Sequence, residues 1–347
     1  MGEHIYNNIL IFNLRKIGDT IMATASAYLL KKAYPQAKIT ILVRPLTKTI
    51  VENNPVIDEV MIYDYSHKAK WQDMKHLSQE IRQRNFDLAI TIDNKPRSAI
   101  IAYLAKIPNR IGYERITMRN WYLKMFYTEI ITAPKNFHSC QQVKNHEIFI
   151  NKITGKNDKA KMIMPRVSEQ SRLKVDNLLN SLAKNKKNIA LCIRSGVKFK
   201  DWSSHNFLEV VRYLKANNDC NFYIVGANSD YEYSEKFIAE SKIDIKNFCG
   251  KTNLPELGYL LKQSDLLLSV DTGTAHIAAS QDTNTVVVFA GTSHYHWAPY
   301  GDTVKIVSVN INCYPCNDKV RKECNSYPCL NAIDIEQVKK DCIQMIE

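Results

Sequence analysis

The sequence predicts an α/β protein made of two doubly wound parallel-sheet domains in tandem. Three observations predict it. Short apolar runs alternate with helical patterns along nearly the whole chain, which is the signature of βαβ units with helices on both sheet faces. A lysine-rich, irregular stretch, ITGKNDKAKMIMPR at 153–166, interrupts the alternation midway. The chain has 347 residues, 45% hydrophobic and 24% charged, enough apolar material for two cores of ordinary size and too much for a disordered or peptide-like protein. The first domain is therefore assigned to residues 1–160 and the second to 161–347.

The elements follow in order. NILIFN (8–13) reads as a buried strand and LRKIGD as a turn. TIMATASAYLLKKAYP then reads as a helix, with Asp19 or Thr20 as its N-cap, small residues Ala23, Ala25 and Ala27 for close packing, and a stop before Pro35. KITILVR (38–44), EVMIYD (59–64) and FDLAITID (86–93) are strands, separated by a helical patch ending near NNP (53–55) and by a polar helix over 71–84. Beyond the boundary come the strands NIALCIR (188–194), CNFYIVG (220–226), DLLLSVD (265–271) and NTVVVFAG (284–291). Helices are expected between them at 204–216, 231–241, 255–263 and 274–280. Parallel sheets bind ligands beyond the carboxyl ends of their strands, so two such domains facing one another are expected to hold a site in the cleft between them.

Charge narrows the partners. Lys and Arg number 47 against 35 Asp and Glu, a net charge of +12, and the pI is about 9.1. Such a surface attracts anions: nucleic acid, anionic headgroups or phosphorylated substrates. The cations are dispersed through both halves and not interleaved with aromatics in a cluster, which speaks against a nucleic-acid-binding protein. No run reaches the ~18 to 20 apolar residues of a membrane span, and the N-terminus does not read as a secretion signal. A cytoplasmic location is expected. Of nine cysteines, Cys140, Cys192, Cys220, Cys249 and Cys342 are scattered singly and read as reduced thiols.

Four features carry chemistry. DTGTAH, Asp271 to His276, lies where a buried strand ends and a helix begins. Gly273 would let a ligand approach the backbone, the helix N-terminus favours a phosphate, Thr272 offers a hydroxyl, and Asp271 could accept from sugar hydroxyls. The bland alternative is a helix cap with a core-facing His276. IRSGVKFKDW (193–202) also follows a strand, with Ser195 and Gly196 opening a loop and Lys200 able to offer an ammonium to a diphosphate, against the reading of a plain surface lysine. RKIGDTI (15–21) offers Asp19 either as a helix cap or as a base for an incoming hydroxyl, with Arg15 and Lys16 beside it for an anionic acceptor. It lacks the glycine patterns of dinucleotide and P-loop sites. Finally, Cys313, Cys316, Cys324 and Cys329 are spaced C-x2-C-x7-C-x4-C. These could close a structural zinc site, although only one pair has the tight knuckle spacing; reduced or redox-sensitive thiols are the alternative. No D-x-D of the kind that holds a divalent ion on a sugar nucleotide is present, and no other metal ligands are assigned.

Together these motifs resemble glycosyltransferase family 9, the ADP-heptose:lipopolysaccharide heptosyltransferases. The likeness runs through IGDTIMATASAYLLKKAYPQAKITILVR, NNPVIDEV, RIGY (110–113), KDW (200–202), SVDTGTAHIAA (269–279), VVVFAGTS (286–293), WAPYG (297–301) and CLNAI, in the family's order. It implies a GT-B architecture of two Rossmann-like domains, with the acceptor on the first, the nucleotide-sugar donor on the second, and usually a last helix packing back on the first. It further implies an inverting transferase without cofactor or metal, using ADP-heptose as donor substrate and Kdo-lipid A or the first heptose of the inner core of lipopolysaccharide or lipooligosaccharide as acceptor. On this likeness Asp19 is the catalytic base and Lys200 the phosphate-binding lysine. Ser195, Asp230, Asp271, Thr272, Gly273 and His276 complete the donor site, and Asp230 stands where Glu is frequent. Arg15, Lys16, Lys68 and Arg119 are acceptor candidates, and the basic face would bring the enzyme to the anionic inner-membrane leaflet without an anchor. Transfer of another sugar, transfer to a protein, a GT-B sugar-nucleotide epimerase and a silent sugar-nucleotide sensor remain the alternatives.

Overall fold

The structure is a computed structural model that describes residues 5–65, 71–93, 95–114 and 120–347. The chain divides into two compact units, Met1–Arg166 and Val167–Glu347. The first carries strands β1 (Asn8–Phe12), β2 (Lys38–Val43), β3 (Glu59–Ile62), β4 (Leu88–Thr91), β5 (Asn109–Glu114) and β6 (Glu129–Thr132). They form one parallel sheet in the order β3-β2-β1-β4-β5-β6. The second carries β7 (Lys187–Cys192), β8 (Cys220–Ile224), β9 (Ile245–Asn247), β10 (Leu266–Val270), β11 (Thr285–Phe289) and β12 (Val304–Ser308). Its order, β12-β11-β10-β7-β8-β9, is again wholly parallel. Counted from its own first strand, each sheet has the order 3-2-1-4-5-6. Chain direction across the sheet therefore reverses between β1 and β4 and between β7 and β10, and a doubly wound sheet opens a ligand crevice at that reversal.

Burial explains which strands the sequence announces. Ile9 to Phe12 and Leu266 to Leu268 are fully buried, because helices cover both faces of the central strands and every position must be apolar. By contrast β5, β6, β9 and β12, which apolar runs alone did not reveal, are short, carry charged or polar residues, and lie at or next to a sheet edge. Helix Ile17–Ala33 buries Ala23, Ala25 and Ala27 and packs on helix Gln142–Thr154, so its small residues serve close approach as expected. Its start differs. Lys16, not Asp19 or Thr20, is the N-cap, and Asp19 is the third helical residue. The Thr20 hydroxyl donates to the Lys16 carbonyl at 3.0 Å and accepts from Asn13 Nδ2 at 3.0 Å, which binds the first turn to the end of β1.

The closing helix, Ile335–Ile346, packs one apolar face on the second unit. Val338, Cys342 and Ile346, spaced four apart on one face, are buried in the core of the second unit with Leu268, Val286 and Val211. That apolar face is satisfied by its own sheet. No described helix is long and apolar enough to cross a membrane.

Candidate active site

In the first unit Asp93, two residues past β4, organises the loop after β1. Asp93 Oδ2 accepts from the Leu14 N–H at 3.1 Å and from Ser98 Oγ at 2.7 Å, while its Oδ1 accepts from the Lys95 N–H at 3.1 Å. Arg15 donates through Nε and Nη2 to the Asp93 carbonyl at 2.9 and 2.6 Å. Two strand ends flanking the sheet's reversal point are thereby joined. Burial raises the Asp93 pKa, and Ser98, the two N–H groups and Arg15 oppose the rise. Arg15, read from sequence as an anion holder, uses part of its guanidinium to build this loop.

Asp19 follows on the same loop, in the first helical turn. Burial pushes its pKa above the ordinary carboxylate value, opposed by Arg15 and by the backbone N–H groups of Lys16 and Asp19 near the helix start. A carboxylate shifted upward is a stronger base than a solvated one. Lys16 is exposed beside it. Lys68 and Arg119 lie outside the described residues.

In the second unit the loops after β7 and β10 meet at the other reversal point. Lys200 Nζ lies 2.5 Å from Asp271 Oδ2, and the Thr292 hydroxyl, from the loop after β11, donates to the same oxygen at 2.7 Å. Asp271 is 6% exposed, so Lys200 is no plain surface lysine. Thr272 is the N-cap of helix Gly273–Ser280, and its hydroxyl lies 3.6 Å from Cys192 Sγ at the end of β7. The first N–H groups of that helix have no intrahelical acceptor, and its positive dipole end begins at Gly273. His276 is buried, its Nδ1 lacks a partner, and burial lowers its pKa to about 4, with Asp271 opposing and Lys200 reinforcing the shift. It is a neutral imidazole at pH 7.

Several residues that shape this site were not singled out from sequence. Asp201 Oδ1 accepts from both the N–H and the hydroxyl of Ser195, at 2.6 and 2.5 Å, so the Ser195 hydroxyl is engaged within its own loop. Arg194 lies between carboxylates, Nε 3.9 Å from Asp201 and Nη1 3.9 Å from Asp230, with its guanidinium over the Tyr233 ring. Asp230 in turn accepts from the Ala227 N–H at 3.0 Å, beyond the end of β8. Gly291 has a φ of +75°, and a Cβ there would lie 2.6 Å from the ring of Phe199, which precedes Lys200. Arg321 covers the same ring, 5.1 Å from its centroid. The sequence signal for Arg194, Asp201 and Gly291 is their position in a loop that follows a strand.

The cysteine-bearing segment also reaches this loop, through the Cys316 N–H donating to the Gly291 carbonyl at 3.1 Å. Cys313, Cys324 and Cys329 all lie near enough to Cys316 to help raise its thiol pKa, behind burial as the main cause. All nine thiols are free. Among the described residues no group of three or more His, Cys, Asp or Glu is arranged to hold a metal ion.

Comparison with known proteins decides the family. The sequence pattern of glycosyltransferase family 9 (heptosyltransferase) matches residues 74–326, well over half of the chain. The chain belongs to glycosyltransferase family 9. This family 9 enzyme is 25% identical over 305 residues to the lipopolysaccharide core heptosyltransferase OpsX of Haemophilus influenzae, covering 87% of this chain and 84% of that one. Its fold matches the crystal structure of a family 9 glycosyltransferase from Veillonella parvula, with a TM-score of 0.85, 20% identity and coverage of 99% and 98%. It also matches the E. coli heptosyltransferase WaaC with ADP, with a TM-score of 0.73, 15% identity and coverage of 97% and 99%. The enzyme is a glycosyltransferase with two Rossmann-like parallel sheets.

Proposed function

We propose that this enzyme transfers heptose from ADP-heptose, with inversion, to an octulosonate-containing acceptor of the lipopolysaccharide or lipooligosaccharide inner core, either Kdo-lipid A or the first heptose. The observation that carries the reading is the Lys200 to Asp271 pair set beside the start of helix Gly273–Ser280 at the reversal point of the second sheet. An ammonium and free helix N–H groups at one rim form a cradle for a diphosphate. The relatives support the donor and acceptor classes: OpsX is a lipopolysaccharide core heptosyltransferase, and WaaC has been solved with ADP and with ADP-2-deoxy-2-fluoro heptose.

In this reaction Asp19 removes the proton from the acceptor hydroxyl as its oxygen attacks the anomeric carbon. The bond to the ADP oxygen breaks on the opposite face, so the configuration inverts. Negative charge grows on the departing diphosphate and is met by Lys200 and by the helix start at Gly273, which take the part a divalent ion plays elsewhere. Asp271 fixes the ammonium, Asp230 is assigned to the nucleotide ribose, and Ser195 shapes the loop that carries Lys200. The basic surface favours work at the anionic cytoplasmic face of the inner membrane, where a lipid-borne acceptor resides.

The test is to supply purified enzyme with ADP-heptose and delipidated octulosonate acceptors, with and without EDTA, and to determine the product linkage by NMR. Acceptor-dependent ADP release, indifferent to EDTA and giving the inverted anomer, is expected. Release without acceptor, a retained anomer or loss of turnover in EDTA would overturn the reading.

A further inference from the structure

A second cationic feature stands on the rim of the first sheet, apart from the residues assigned to the acceptor so far. Tyr65, beyond the end of β3, donates its hydroxyl to the Leu14 carbonyl at 2.6 Å, so its ring is fixed to the loop that leads to Asp19. Arg97, in the first turn of helix Pro96–Leu104 after β4, sets its guanidinium 4.0 Å from the centroid of that ring. Arg44, the first residue past β2, sets its own 5.2 Å from the same centroid. The loops after β2, β3 and β4, on one rim of the sheet, thus bring two guanidiniums to one ring. Both arginines are partly accessible, and among the described residues neither pairs with a carboxylate. Next to them Tyr63 lies against Tyr65 with the ring planes tilted by 44° and the centroids 5.5 Å apart, and its hydroxyl is buried without a partner among the described residues.

A single arginine on an aromatic ring is ordinary surface packing. Two on one ring are different, because like charges brought together, neither ion-paired among the described residues, attract an anion to the place where they meet. The ring is held by its hydroxyl and the arginines by the ring, so the donors are arranged before any ligand arrives. Guanidinium is also the group suited to grip a planar oxyanion with two parallel hydrogen bonds.

We propose that Arg44 and Arg97, gathered on Tyr65, form an oxyanion subsite that grips the acidic group of the acceptor. The tether from Tyr65 to Leu14 sets this subsite five residues from Asp19, on the loop that carries the base. The proposal rests on the transferase reading above for the identity of its ligand, a sugar carboxylate or a phosphate ester, and not for its existence.

Two measurements test it separately from that reading. The first is binding: titrating the octulosonate monosaccharide, and inorganic phosphate, into the full chain by NMR. Saturable binding at millimolar or lower concentration, weakened in Arg44→Ala and Arg97→Ala, is expected even if no turnover is ever seen. No binding, or equal binding by the variants, overturns the subsite while leaving the transferase intact. The second is kinetic. Loss of one charge-assisted contact should raise the acceptor KM ~10-fold or more in each variant, with kcat and ADP affinity kept, the latter showing that the variants fold. Arg97→Lys should recover part of the loss. If the anion is a carboxylate, converting it to the amide raises the wild-type KM equally and harms the variants no further. If it is a phosphate, the dephosphorylated acceptor behaves that way instead. Variants that retain the wild-type KM, or that lose as much again with the neutral acceptors, overturn the proposal.

Discussion

Lys200 and Asp271, 71 residues apart in sequence, meet at 2.5 Å because the strands that precede them, β7 and β10, are neighbours in the sheet. On the proposed function, the pair holds the ammonium in place ahead of the donor, so little reorganisation is needed when charge develops on the diphosphate. Lys200→Ala should lower kcat by ~10²-fold or more. It should also destabilise the second unit, because Asp271 is left as a buried carboxylate with its cation gone; such losses run at about 3 to 5 kcal/mol. Removing both groups in Lys200→Ala/Asp271→Ala should destabilise by less than the two single changes together, as urea denaturation of the four proteins would show.

His276 gives a stability signature in acid. Its folded pKa of about 4 lies below the ordinary 6.5, so between those values the unfolded chain binds the additional proton. Stability contributed by the neutral imidazole is complete above pH 6.5 and is lost as pH falls toward 4, by on the order of 3 kcal/mol in total. His276→Leu should flatten that part of the pH–stability curve measured by chemical denaturation. An unchanged slope would mean the imidazole is not kept neutral.

Asp19 works in the opposite direction. Its folded pKa is raised, so the folded state holds the proton longer, and stability falls as pH rises from the unfolded pKa of about 3.9 through the folded value. Asp19→Asn should remove this term and leave the protein at least as stable at neutral pH. A variant that loses stability at pH 7 would show that the carboxylate's main role is to stabilise the positive end of the helix.

Gly291 offers a test of the loop beneath Lys200. At φ +75°, with the Phe199 ring where a Cβ would stand, Gly291→Ala combines backbone strain with a clash. The expected result is a loss of about 1 to 3 kcal/mol together with a raised KM for the donor, because Phe199 must move and Lys200 is its chain neighbour. Kinetics at varied donor concentration and a melting curve check both.

What the sequence announced follows from burial. Central strands such as Leu266–Val270 are covered on both faces and read as apolar runs, and a conspicuous turn such as Asp271 to Gly273 follows directly, so this rim of the second sheet is legible. The edge strands β6, β9 and β12 bury less, and polar residues obscure them. Thr292, Asp201 and Arg194 could not be found from sequence, since their roles depend on which strand ends become neighbours. Ser195 was read as a donor contact because a hydroxyl after a strand invites it, but its bond to Asp201 is visible only in three dimensions. Arg44 and Arg97 likewise are ordinary scattered cations until Tyr65 brings them together. The N-cap expectation at Asp19 or Thr20 missed because the backbone becomes helical at Ile17, without a side-chain cap.

The central claim is that Asp19 is the base for glycosyl transfer. The most direct measurement is acceptor-dependent ADP release by Asp19→Ala beside the wild type, across pH, with ADP binding as the control for folding. The account predicts a fall of ~10²-fold or more with ADP affinity kept, and a wild-type rate that declines in acid as the carboxylate takes up its proton. A variant that turns over at the wild-type rate, with the same acid limb, would contradict it.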